Sequence, residues 1–169
     1  MTDKSFFSED EWKALSEAPL YVTLAIVAVG EHGPISMVKE AAASARLLAQ
    51  PGDRGPATEL IAAMSHDAQG HEARHDTKQH RGKSLDQTVD EAITQLGAAA
   101  GALGRIPLEE AIEVRSWLVD IARAVADAAK GVSEREEAVI DRIRIALGGT
   151  ASEATGTSDA SDASDATGN

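Results

Sequence analysis

Four of the five histidines lie between His66 and His80, and among them His71-Glu72-Ala73-Arg74-His75 spells H-E-x-x-H. On a helix, histidines four apart share a face and can both bind zinc, while the intervening glutamate acts as general base on a metal-bound water. Asp67 stands one turn earlier on the same stripe, so Asp67, His71 and His75 form a candidate three-ligand set. The chemistry would be zinc-dependent hydrolysis. The surroundings favour a plainer reading. Gln69, Gly70, Arg74, Asp76, Lys78 and Gln79 make the stretch polar, whereas a zinc-peptidase helix is normally buried around its motif. The further histidine of the metzincin pattern is missing, because His80 follows His75 with Lys78 between them. The expectation is a solvated helix end that binds divalent metal weakly at most, with no catalytic residue and no cofactor.

Other chemistries drop out quickly. The chain of 169 residues has no cysteine, which excludes disulfides, thiol catalysis and Cys-based zinc sites. There is no Gly-rich phosphate loop and no G-x-S-x-G elbow. Glu109 and Glu110 sit where a helix start favours negative charge, and Trp12 and Trp117 fall in helical stripes that suit a core. A formal net charge of −12 argues against nucleic acid or an anionic membrane as partner, since either needs a basic footprint. The opening residues lack a charged segment followed by an apolar one. The longest apolar run, Leu20 to Val29, is about ten residues against the roughly 20 of a membrane span. These features predict a soluble, cytoplasmic protein that acts through contacts with other proteins.

The elements that would position such residues read as helices throughout. The chain is rich in alanine and carries only two Trp, one Tyr and two Phe, a composition suited to close-packed helices rather than a sandwich. Three capping boxes mark helix starts: Ser8-Glu9-Asp10-Glu11, Ser84-Leu85-Asp86-Gln87 and Ser133-Glu134-Arg135-Glu136. Pro19 suits the first turn of a second helix. Leu20–Val29 has strand-like residues but no second run to pair with, so it reads as helix. Further helices are expected over Ser36–Gln50, after the breaker Pro51–Pro56, from Leu85 to Leu103 and from Leu108 to Ala129, with the last ending at Gly148 as C′ residue. The result is an all-α bundle of about seven helices.

The two ends of this body repeat at a displacement of roughly 97 residues: Leu24-Ala25 falls on Ile121-Ala122, Ile35-Ser36 on Val132-Ser133, and Glu40-Ala41 on Glu137-Ala138. Either two related hairpins flank a central helical segment, or helical hairpins simply share this grammar. The stretch Ile121–Leu147, with Asp127, Gly131, Val132, Ser133, Glu134 and Glu137, resembles the helix–turn–helix of the tellurite-resistance TerB-like family. Here Ala128-Ala129-Lys130 separate the aspartate from the glycine. The chain is also similar to bacterial conserved helical proteins of unknown function. The resemblance implies an all-helical fold and a setting in stress physiology, with Asp127 and Glu134 as metal-binding residues; helix capping accounts for both without a metal. Beyond Gly148 the sequence changes character. Residues 148–169 lack large apolar side chains and positive charge, and Ser-Asp-Ala recurs three times. They are expected to form a disordered, solubilising acidic tail, with an acidic recognition motif as the alternative, after one helical domain over residues 1–147.

Overall fold

A computed structural model describes residues 2–30, 34–50, 52–72 and 84–149. All regular elements among them are helical: α1 Glu9–Val29, α2 Pro34–Ala49, α3 Thr58–Glu72, α4 Leu85–Leu103, α5 Leu108–Lys130 and α6 Glu134–Ala146, with short 3-10 turns at Lys4–Phe6 and Gly55–Ala57. The expected all-α class holds. The acidic tail beyond Gly149 lies outside the described residues, as do His75 and His80.

All three capping boxes form. The Ser8, Ser84 and Ser133 hydroxyls accept from the amides of Glu11, Gln87 and Glu136, whose side chains accept from the cap amides in return. At the other end of α6, Gly148 takes φ +90°. Its amide donates to Ile145 O and that of Gly149 to Arg144 O, the paired closure that uses a left-handed C′ residue. The expected helix stop is therefore present.

The structure corrects the expected start of a second helix at Pro19. Pro19 lies inside α1, buried, so two expected helices are one and six α-helices stand among the described residues. An interior proline loses one backbone hydrogen bond and crowds the preceding turn, a cost of about 3 kcal/mol. Here the helix runs through the proline because residues on both sides of it pack into one core: Trp12, Leu15, Ala18, Val22, Ala25, Ile26 and Val29 are all buried. The merged α1 is also long and apolar enough to cross a membrane, unlike the run Leu20–Val29 alone, and half of its most apolar window is buried inside the bundle.

α1 is the central post, packed against α2, α3, α4, α5 and α6. Around it Leu60, Ile61 and Met64 of α3, Leu96 and Leu103 of α4, Trp117, Leu118 and Ile121 of α5, and Ile140 of α6 close the core. Both tryptophans are in this core, as their spacing predicts. Specific polar ties fix the outer helices. Thr23 and Ser44 hydroxyls meet at 2.9 Å between α1 and α2, Gln69 Nε2 donates to Leu48 O at 3.1 Å, and Arg142 pairs with Asp90 at 2.6 Å between α6 and α4. Arg105, after α4, pairs with Glu11 at the start of α1.

The end hairpins α1–α2 and α5–α6 are both helical pairs, but the repeat is not matched at the caps. Ser133 caps α6 from outside, whereas its counterpart Ser36 is the third residue of α2.

Candidate functional site

Asp67 is the only member of the expected ligand set whose side chain is described. It faces the N-terminal end of the chain. Its Oδ2 accepts from Lys4 Nζ and from the Trp12 indole Nε1, both at 2.8 Å, and its Oδ1 lies 3.2 Å from His66 Nδ1. The Lys4 ammonium first, then the indole N–H, hold its carboxyl well below the usual carboxylate range. Lys4 also sits over the Trp12 ring, and Phe7 packs beside that ring. These groups line a recess of about 300 Å³. Two further acids are drawn into the same end of the bundle. Glu11 is held at about 2, chiefly by the Ser8 amide and then by Arg105. Burial alone would raise Glu110, but hydrogen bonds from Thr2, whose amide donates at 2.9 Å, hold it below its ordinary value.

His71 lies in the last turn of α3, with Glu72 as the final helical residue. The H-E-x-x-H stripe therefore begins on a helix, and its second histidine falls outside the described residues. Among the described residues no three His, Asp or Glu side chains come close enough together to hold a metal ion. Asp127 and Glu134 are both exposed, one near the end of α5 and the other in the first turn of α6.

A larger concavity lies elsewhere, between α5 and the C-terminal end of α6. Its volume is about 480 Å³, and Ile112, Arg115, Ser116, Val119, Asp120, Arg123, Arg144, Leu147, Gly148 and Gly149 line it. The α5 members recur every three or four residues, so they form one stripe down that helix. Three arginines meet one aspartate, and that aspartate is engaged: Asp120 pairs with Arg54 at 2.9 Å. Arg144 pairs with Asp141 on its own helix.

Arg115 is different. Its guanidinium lies against Gly148, where an added Cβ would meet it at 3.6 Å, and its Nε is buried with no hydrogen-bond partner among the described residues. A cation there is favoured by the C-terminal dipole of α6, but a buried N–H on a charged group normally finds an acceptor. Arg123 stands exposed farther along the stripe, and Ile112 is half-exposed at its other end. The arrangement suits an extended ligand carrying carboxylates, which arginine binds through paired N–H donors.

None of these arginines belongs to a motif that the sequence marks as functional. Arg115 and Arg123, eight apart on an amphipathic helix, were a visible signal, but Arg144 and Gly148 join them only through packing. No protein-family model, curated protein or solved structure matches the chain.

Proposed function

We propose that this chain is a non-enzymatic, acidic helical interaction module, and that it engages a protein partner through the arginine-lined groove between α5 and α6. The observation that carries the reading is the concentration of Arg115, Arg123 and Arg144 in one groove of a chain whose formal net charge is −12. A local basic surface on an acidic body attracts an acidic peptide at short range, while the overall field repels nucleic acid and anionic lipid. The partner is therefore an acidic protein segment. Burial of α1 at the centre of the bundle supports a water-soluble body, and with it a cytoplasmic setting without membrane insertion. The resemblance of residues 121–147 to TerB-like proteins supports a role in stress physiology.

A photo-crosslinking amino acid at Ile112, on the groove rim, tests this in the native cytoplasm. A discrete protein adduct is expected, lost on Arg123→Glu and absent when the label is moved to Glu59, an exposed residue of α3. Adducts at Glu59 but not at Ile112 would contradict the reading. So would one tightly held zinc per purified chain together with a hydrolytic activity, both lost on His71→Ala with His75→Ala; the hydrolase reading of His71, Glu72 and His75 then takes its place.

A further inference from the structure

We propose that the acidic segment taken up at the α5–α6 groove is the first two turns of α5 in a second copy of this chain, so that two copies pair through antiparallel α5 helices. The inference rests on the groove reading above and names the partner.

The exposed face of α5 is self-complementary. Glu109, Ser116 and Arg123 follow one another at intervals of seven residues, and all three are exposed. Seven residues make nearly two helical turns, so the three stand on one line along the helix, with an acid and a base each about 10 Å from a small central residue. A second α5 laid antiparallel, Ser116 against Ser116, brings Glu109 of each copy to Arg123 of the other. The two-fold axis makes that contact twice. Neither Glu109 nor Arg123 has an ion pair among the described residues, whereas Asp120 beside them already serves Arg54.

The same face carries the apolar surface that exposed ion pairs cannot replace. Leu108 and Ile112 are 68% and 50% exposed and stand one turn apart on it. In the antiparallel register Ile112 meets the other copy near its Val119, and Leu108 meets the aliphatic stem of its Arg123. Ile112, Ser116, Val119 and Arg123 all line the groove, so the incoming helix covers it along the α5 side. Apolar burial supplies the affinity, and the charges set direction and register. A parallel pairing sets Arg123 against Arg123 and Glu109 against Glu109, and is repelled.

The formal net charge of −12 opposes the approach of a copy at long range. At physiological ionic strength that field is screened beyond about 8 Å, and the groups that touch decide the outcome. One helix pair makes a small interface, so the dimer is expected to be half-formed at roughly 100 µM.

Sedimentation velocity of the full chain from about 5 to about 500 µM brackets that value. Wild type is expected to pass from one chain towards two, and Ile112→Asp to stay monomeric. Glu109→Arg and Arg123→Glu should each weaken the dimer about fivefold, since two pairs are lost per dimer. Mixed in equal amounts, these two variants should associate as well as wild type, because every 109–123 contact is again between opposite charges; a merely structural defect is not rescued by mixing. Should Glu109→Arg disturb the start of α5, Ile112→Asp and Arg123→Glu still decide, both lying at exposed positions. Wild type that stays monomeric throughout, while oligoglutamate binds the groove and Arg123→Glu abolishes that binding, overturns the second copy as partner and leaves the groove reading standing. A monomer that binds no oligoglutamate overturns both. A dimer indifferent to Ile112→Asp and Arg123→Glu, or no gain on mixing, overturns the α5 pairing.

Discussion

Replacing Asp67 by alanine removes the tie between α3 and the N-terminal end of the bundle. Three contacts are lost; that to the exposed His66 ring is the least of them, and the other two differ in worth. Trp12 is 7% exposed, so its indole N–H is left without an acceptor where water reaches it poorly, at a cost of about 1–3 kcal/mol. The Lys4 side chain is 60% exposed, so its ion pair contributes less than about 1 kcal/mol. Asp67→Ala should therefore cost about 2 kcal/mol near neutral pH, or about 6 °C in Tm for a domain of this size. Asp67→Asn retains a carbonyl acceptor for the indole and should cost about 1 kcal/mol. The pH dependence separates charge from packing. A carboxyl held below its unfolded value binds fewer protons folded than unfolded in acid, so its contribution is complete above about pH 4 and is lost as pH falls below that. The difference between wild type and Asp67→Asn should accordingly shrink towards zero in acid. Urea unfolding followed by tryptophan fluorescence reads both effects. Wild-type-like stability of Asp67→Ala at neutral pH, or wild type and Asp67→Asn running parallel into acid, would refute the reasoning.

Leu118→Ala, at a fully buried position of α5, should lower stability by about 3 kcal/mol through transfer and cavity terms, read as an earlier urea midpoint at unchanged slope. Gly148→Ala places a Cβ at φ +90° and should cost about 1–2 kcal/mol, with α6 amides near its C terminus exchanging hydrogen faster. His71→Ala with His75→Ala should leave the urea midpoint close to wild type, and calorimetric zinc titration of the unaltered chain should give micromolar affinity or weaker; two histidines make too few ligands for a tight site, and Asp67 is already bound to Lys4 and Trp12.

Local signals carried the helices. A serine with Glu or Gln three residues on defines a capped start without reference to anything distant, and all three such boxes form. Leu20–Val29 read as helix by elimination of a strand partner, and that logic agrees with the fold. Pro19 misled because its local rule, first turn or kink, was outweighed by the burial of the helix around it. Asp67 shows where local reading ends. Its spacing from His71 suggested a ligand stripe, whereas the partners observed, Lys4 and Trp12, are 63 and 55 residues away in sequence and reach it only when α1 packs on α3. The groove divides in the same way. Its α5 stripe is periodic in the sequence, but that Arg144 and the α6 terminus face it is a product of tertiary packing.

Amide NMR mapping tests the central claim most directly. The full chain is titrated with an acidic peptide, and shifts should cluster at Arg115, Val119, Arg123, Arg144 and Gly148 while Trp12 and Asp67 remain in place. Shifts scattered over the surface, or centred on the recess beside Trp12, would contradict the assignment of the α5–α6 groove as the contact surface.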